Sequence, residues 1–128
     1  MIFVLDTHTF LWLLRAPEML PDEVVRLCDD PEVDLALSAA TAWEMAIKVG
    51  TGRLDAADIL DDFESVALRA RIRVLEASVR QMIRSGLLPM HHRDPFDRLL
   101  AAQALEMGAT LLSRDRVFDL YGVQRIWE

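Results

Sequence analysis

The stretch His91–Asp115, HHRDPFDRLLAAQALEMGATLLSRD, decides how the rest of the chain is arranged. Pro95 suits the first turn of a helix, because its missing N–H would have no partner there in any case. Apolar residues then occupy nearly every side of this helix, which predicts burial on most faces, and Gly108 ends it. The short apolar run Ala109–Ser113 predicts an inner strand, and Asp115 follows directly after it.

Three aspartates in this stretch stand near the ends of the predicted helix and strand. Asp94 and Asp97 are three residues apart, so that both lie on one face of the first helical turn. Asp115 follows the strand. A single aspartate in such a position is most often a solvated helix cap. The spacing of the three together indicates a shared site.

The rest of the chain alternates short apolar runs with helical patterns. The run Ile2–Leu5 ends in Asp6 and is typical of a central parallel strand. This alternation predicts one α/β domain over residues 1–128, with a parallel sheet covered by helices on both faces. Helices are predicted at Thr7–Leu14, Pro21–Asp29, Ala39–Val49, Asp55–Arg71 and Ser78–Ser85, and further strands at Asp34–Ser38, Ile72–Leu75 and Val123–Trp127.

Composition excludes several classes of protein. The formal net charge of −7 argues against a simple basic nucleic-acid-binding module. The charge permits an enzyme that acts on nucleic acid through metal ions held by acidic residues, and it suits a basic protein partner. The single cysteine, Cys28, excludes an internal disulfide and fits a reducing compartment. No apolar run is long enough to span a bilayer and no basic leader is present, so we expect a cytoplasmic protein without a membrane partner.

Acidic residues collect where the predicted parallel strands end, which is the edge at which such sheets bind ligands. Asp6 ends the first strand, and Asp115 follows the strand at 109–113. Asp97 opens the preceding helix, and Glu44 lies in an apolar part of the helix after the second strand. We therefore expect one site that contains Asp6, Glu44, Asp97 and Asp115, with Asp94 close by.

Four clustered carboxylates repel one another, and a hard divalent cation relieves that repulsion. Oxygen ligands favour Mg²⁺ or Mn²⁺ over Zn²⁺, and such a site can activate water for phosphoryl transfer. For Glu44 alone, an exposed ion pair with Lys48 is an equally good explanation. The cations near the acids are expected either to contact phosphate or to balance charge. These cations are Arg93, Arg98, Arg114, Arg116 and Lys48.

Other constellations are poorly supported. The adjacent His91 and His92 and the distant His8 do not have the spacing of zinc ligands. The chain has neither a glycine-rich phosphate loop nor a nucleophile elbow. A phosphatase or receiver domain is the main competing class, but the former needs an aspartate where His8 stands and the latter needs a late lysine, whereas the only lysine is Lys48. A binding module without catalysis is the third possibility, and its sign would be a missing acid.

Four segments in order resemble the PIN-domain ribonucleases, specifically the VapC-type toxins of toxin–antitoxin pairs: FVLDTHTFLWLL, LSAATAWEMAIKVGTGRL, HHRDPFDRLLAAQAL and LLSRDRVFDLYGV. The resemblance implies a three-layer α/β/α sandwich around a central parallel sheet. It also implies Mg²⁺- or Mn²⁺-dependent endoribonuclease activity on RNA, a cognate antitoxin that covers the site, and a homodimer. The family's catalytic, metal-binding acids fall on Asp6, Glu44, Asp97 and Asp115. Supporting roles are expected for Asp94, Thr7 and Ser113.

Overall fold

A five-stranded, wholly parallel sheet forms the centre of the computed structural model, which describes residues 1–128. The strands lie in the order β3-β2-β1-β4-β5, so that the chain starts in the middle of the sheet and builds first to one side of β1 and then to the other. Their bounds are β1 (Ile2–Leu5), β2 (Asp34–Ser38), β3 (Ile72–Leu75), β4 (Thr110–Leu112) and β5 (Gln124–Ile126). Strand order therefore reverses between β1 and β4, where parallel sheets form a crevice beyond their carboxyl ends.

Helices cover both faces of this sheet. Successive strand residues point to opposite sides, so Leu5 and Leu37 join one buried cluster while Val4 and Ala36 join the other. The three-layer α/β/α architecture expected from the sequence is confirmed. The helices are α1 (Thr7–Arg15), α2 (Asp22–Asp29), α3 (Ala39–Gly50), α4 (Ala57–Leu60), α5 (Phe63–Arg69), α6 (Val79–Leu87) and α7 (Pro95–Met107), with short 3₁₀ helices at Pro17–Met19 and Arg116–Tyr121.

The helix expected over Asp55–Arg71 is two helices, so that prediction was wrong. The helix is interrupted at Asp62, whose φ of −145° and ψ of 47° lie outside the helical region. Aspartate is a weak helix former, and two of them in succession at this point reduce the cost of the break. The interruption leaves Ile59 and Phe63 buried in the same core cluster.

The helix expected to stop at Gly86 instead continues through it to Leu87. Its end lies just before Pro89, because the residue that precedes a proline is disfavoured in the helical region. By contrast, α7 begins and ends where the sequence predicts, with Asp94 as the N-cap and Gly108 at φ 63° after the last turn. No helix in the structure combines the length and the apolar character that a membrane crossing needs.

Candidate metal centre

Asp6 forms the floor of the crevice beside β1. The strand delivers it to the N-terminus of α1, where its Oδ1 accepts a hydrogen bond from the backbone N–H of Thr9 at 2.8 Å. Its Oδ2 accepts a hydrogen bond from the Ser113 hydroxyl at 2.5 Å. The residue is only 6% exposed, so its carboxylate is held by neutral donors rather than by solvent.

Glu44 projects from α3 and is 5% exposed. Its Oε1 accepts a hydrogen bond from the Thr7 hydroxyl at 2.6 Å, and Lys48 Nζ donates to its Oε2 at 2.8 Å. The ion pair expected between Glu44 and Lys48 is present, but the Glu44 carboxylate is buried rather than exposed. The role of Glu44 as a metal ligand stays a prediction.

Asp97 and Asp115 both contact the imidazole of His92. His92 Nε2 lies 2.9 Å from Asp97 Oδ2 and 3.0 Å from Asp115 Oδ2. Asp115 also caps the 3₁₀ helix at Arg116–Tyr121, because its Oδ1 accepts from the Val117 N–H at 3.0 Å. Its own backbone N–H donates to Ser113 Oγ at 3.0 Å. Since Ser113 Oγ also donates to the Asp6 carboxylate, this one hydroxyl links the side chain of Asp6 to the backbone of Asp115.

The electrostatic effect of burial and of the neighbouring acids is seen in the pKa of Asp97. Burial raises the pKa of its carboxyl group from 3.8 to about 7, and the negative charge of Asp94 adds to that rise. Glu44 and Asp6 raise the pKa further, whereas His92 opposes the rise. The protein therefore gathers more negative charge around Asp97 than its own cations neutralise.

Asp94 supports this arrangement from the start of α7. Its carboxylate accepts a hydrogen bond from the Phe96 N–H at 2.8 Å, which is the helix-capping interaction. Its own N–H donates to His92 Nδ1 at 3.1 Å. Asp94 thus caps α7, contacts the His92 ring through its backbone N–H, and adds its negative charge to the cluster.

The five cations that were expected to contact phosphate lie in different surroundings. Exposed Arg114 and Arg116 line a cleft of about 440 Å³ together with two of the acids. Arg98 instead donates to the Leu88 carbonyl at 2.7 Å, which anchors the segment after α6 and favours a structural role. Lys48 is paired with Glu44, and Arg93 is exposed without an ion-pair partner. The lining residues of the cleft are Asp6, His8, Trp12, Arg114, Asp115 and Arg116.

A hard divalent cation fits the donor set found here. The four carboxylates supply only oxygen, the ligand that Mg²⁺ and Mn²⁺ prefer, and of the four only Asp97 and Asp115 belong to the group of side chains close enough to hold a single ion. The sole lysine or arginine in contact with any of these four carboxylates is Lys48. The Asp97 and Asp115 oxygens and His92 Nε2 lie within 4.8 Å of one another, a spacing that a single ion can bridge. Burial and the neighbouring carboxylates raise the pKa of Asp97, and a cation bound here would oppose that rise.

His92 was missed in the sequence. The two adjacent histidines point apart, and the His91 ring lies against Tyr121, with centroids 5.1 Å apart. The available signal was the short separation between His92 and Asp97, with Asp94 and Pro95 between them. That separation allows a turn to bring the imidazole back over the first helical turn.

The family profile of the PIN domain matches residues 3–123, nearly the whole chain, so this chain belongs to the PIN domain family. Proteins of this family are nucleases that use divalent metal ions, in agreement with the acidic cluster. No curated protein matches the sequence.

Several solved structures share the fold. VapBC2 from Rickettsia felis, bound to a DNA fragment from its promoter, superposes with a TM-score of 0.71 at 18% identity over 100% of both chains. VapBC-1 from nontypeable Haemophilus influenzae gives 0.68 at 21% identity, over 98% of this chain and 97% of that one. FitAcB from Neisseria gonorrhoeae gives 0.67 at 22% identity, over 97% and 96%.

Proposed function

We propose that this protein is a Mg²⁺- or Mn²⁺-dependent endoribonuclease, the toxin of a toxin–antitoxin pair. The observation that carries the proposal is that Asp97 and Asp115 lie together where strand order reverses, with Asp6 on the wall of the same cleft as Asp115 and the charge of Glu44 acting on Asp97. Asp6, Glu44, Asp97 and Asp115 come from four separate parts of the chain, and each is held there by hydrogen bonds from its neighbours.

The four acids divide by exposure. Asp6 and Glu44 are almost completely buried, whereas the side chains of Asp97 and Asp115 are 25% and 37% exposed. Asp97 and Asp115 therefore present oxygens toward solvent, and the two buried acids supply fixed negative charge behind them. A bound cation would activate water and stabilise the leaving oxygen during phosphodiester hydrolysis. Thr7 and Ser113 hold the Glu44 and Asp6 carboxylates in place through their hydroxyls.

The cleft beside the acids has the chemistry to hold an RNA strand. Arg114 and Arg116 can contact phosphate oxygens, which compensates in part for the acidic net charge of the protein. Trp12 and His8, also on the cleft wall, lie with ring centroids 5.8 Å apart. Aromatic faces stack with unpaired bases, so a single-stranded or looped RNA suits this cleft better than a duplex.

The proposed partner is an antitoxin that covers the site with a basic segment. The net charge of −7 and the exposed acids favour positive charge in that segment. The VapBC and FitAB neighbours are toxin–antitoxin complexes, which supports an antitoxin partner for this chain. Apolar contacts to Trp12, Leu14 or the 63%-exposed Trp43 would add affinity. A homodimer is also part of the proposal.

The nuclease proposal is tested with antitoxin-free protein and an end-labelled RNA. We expect cleavage with Mg²⁺ or Mn²⁺, no cleavage in EDTA, and products with 5′-phosphate ends, because water rather than the neighbouring 2′-hydroxyl attacks the phosphorus. The same sequence as single-stranded DNA is the matched control for substrate class. Cyclic phosphate ends, or full activity in EDTA, would contradict the proposed mechanism.

The partner proposal has a separate test. Expression of the protein alone should arrest growth, and purification from its native host should bring with it a small protein whose basic segment protects the site. Harmless expression combined with purification of the free protein would remove the support for an antitoxin, and the nuclease assay would stand independently of that result.

A further inference from the structure

The imidazole of His92 lies between two acids of the site and has a defined hydrogen-bonding state. Its Nδ1 faces the backbone N–H of Asp94 at 3.1 Å, so Nδ1 is an acceptor and carries no hydrogen. The ring hydrogen is therefore on Nε2, which lies 2.9 Å from Asp97 Oδ2 and 3.0 Å from Asp115 Oδ2. A single N–H thus faces two carboxylate oxygens.

The segment that carries His92 is fixed from outside the acidic cluster. The backbone N–H of His92 donates to the Tyr121 hydroxyl at 2.9 Å, and that hydroxyl donates to the Pro89 carbonyl at 2.8 Å. The His92 side chain is only 19% exposed. The Tyr121 hydroxyl consequently fixes the backbone of this segment, and the imidazole lies largely buried over the site rather than as a mobile surface group.

We propose that His92 occupies the metal centre of the cation-free protein and sets its metal affinity. Its Nε2–H holds Asp97 and Asp115 together, and the imidazole must give up these contacts when a cation binds. His92 is thus a positioning residue for these two acids. It stabilises the cation-free site, and for the same reason it weakens metal binding. This inference rests on the proposed metal-dependent function.

The alternative role of His92, as a metal ligand, is disfavoured by the second ring nitrogen. A histidine that ligates a metal through Nε2 normally donates its Nδ1–H to an acceptor. Here Nδ1 faces a donor, the N–H of Asp94, which is itself the cap residue of α7. Ligation through Nε2 would place two N–H groups against each other, so the segment would first have to move.

The test is the affinity of the purified protein for Mn²⁺, measured by calorimetry for wild type, His92→Ala and His92→Gln. We expect His92→Ala to bind Mn²⁺ about tenfold more tightly, because a hydrogen bond to a charged group no longer competes with the ion. His92→Gln keeps an N–H donor of similar reach and should fall between the two. His91→Ala is the matched control and should bind as wild type does, since His91 contacts no acid.

Melting temperatures give a second reading on the same proteins. Loss of the His92 ring should lower the melting temperature in EDTA. It should also increase the difference between the melting temperature in saturating Mn²⁺ and that in EDTA. Lost packing of the ring against Phe118, 6.3 Å away between centroids, affects both conditions alike and cancels in that difference.

Tyr121→Phe provides a variant that leaves the imidazole and the acids unchanged. It removes the hydroxyl that fixes the His92 segment, so Mn²⁺ affinity should rise, by less than in His92→Ala. This variant keeps the inference testable if His92→Ala does not fold.

The outcomes separate the inference from the function on which it rests. Weaker Mn²⁺ binding by His92→Ala, with a smaller rise in melting temperature, would make His92 a ligand and overturn the inference while the metal site stands. Unchanged affinity would also overturn it. Failure of wild type to bind Mn²⁺ at all would overturn both the inference and the proposed function.

Discussion

Asp97 is the residue at which burial and like charge act together most strongly. A pKa raised to about 7 means that Asp97 of the cation-free protein holds its proton to a much higher pH than an ordinary aspartate does. A bound cation reverses this preference, because it stabilises the carboxylate. Metal binding at neutral pH should therefore release protons from the site.

The raised pKa predicts a pH dependence of the cation-free stability. The folded state binds a proton at Asp97 up to about pH 7, whereas the unfolded chain loses it near 3.8. Folding is therefore favoured by this group at low pH, and its contribution falls as the pH rises from about 4 to about 7. Denaturant midpoints in EDTA across this window should show the fall in wild type.

Asp97→Asn is the control for that pH dependence. Asp34 and Asp119, whose pKa values are lowered by hydrogen bonds from Arg73 and Arg125, give a slope of the opposite sign in both proteins. The difference between the two proteins therefore removes the contribution of Asp34 and Asp119 and leaves that of Asp97 with the charges it interacts with. Parallel curves for wild type and Asp97→Asn would show that Asp97 ionises normally.

Substitution of the acids should also separate direct ligands from supporting residues. Asp97→Asn should reduce RNA cleavage to background, because the amide cannot replace the lost negative charge. Asp94→Asn should cause a smaller loss, since asparagine keeps the helix cap. Initial rates at saturating Mn²⁺ measure both effects, and an equal loss in the two variants would place Asp94 among the ligands.

At the residue scale, Asp6, Asp97 and Asp115 could be grouped from the sequence because each stands at a predicted strand or helix end, and parallel strands share one ligand-binding edge. Glu44, inside a helix, was added because its neighbours are apolar. His92 could not be placed in the same way. Its position depends on the path of the segment before α7, which the hydroxyl of Tyr121 fixes from the far end of the chain.

At the scale of elements, α7 illustrates why some boundaries were predictable and others were not. Proline at its start and glycine after its end are local signals, and the structure follows both. The break between α4 and α5 lies at the weak helix formers Asp61 and Asp62, and α6 runs through Gly86 and ends before Pro89. These signals are weaker than the helical periodicity of the apolar residues, so the pattern over 55–71 predicted one helix where there are two.

Two glycines test this distinction directly. Gly108 has φ 63°, and Gly86 lies within α6, but an added Cβ would meet nothing within 4 Å at either position. Gly108→Ala should therefore cost about 1–2 kcal/mol in unfolding free energy, because only the backbone conformation opposes it. Gly86→Ala should stabilise the protein by about 0.5–1 kcal/mol. Chemical denaturation measures both, and a loss of stability in Gly86→Ala would show that α6 is not helical there.

At the scale of the whole molecule, α6 is unusual in burying polar residues and exposing apolar ones. Gln81 and Ser85 are buried, and Gln81 accepts a hydrogen bond from Gln103 on α7 at 3.2 Å. The exposed apolar residues are Val79, Met82, Ile83 and Leu87, with exposures between 55% and 80%. A row of apolar side chains of this kind is typical of an interaction surface, and we expect a second copy in the proposed homodimer to cover it.

The dimer predicts a change in mass on substitution. Ile83→Asp should convert the protein from a dimer to a monomer in light scattering, because a charge would be buried without a partner. Leu68→Asp makes the same change at a 75%-exposed apolar position on α5 and should leave the mass unchanged. A wild-type monomer, or a dimer that survives Ile83→Asp, would exclude this surface.

The most direct measurement of the metal centre is the melting temperature of wild type and Asp97→Asn, each with EDTA and with excess Mn²⁺. In EDTA, Asp97→Asn should be no less stable than wild type, since one repelling charge is gone and the asparagine is still compatible with the first turn of α7. The helix dipole opposes this gain by about 0.3–1 kcal/mol. With Mn²⁺ the order should reverse, because wild type binds the ion more tightly and binding adds stability. An equal rise in both proteins would show that Asp97 is not a ligand and that the cation, if bound, lies elsewhere.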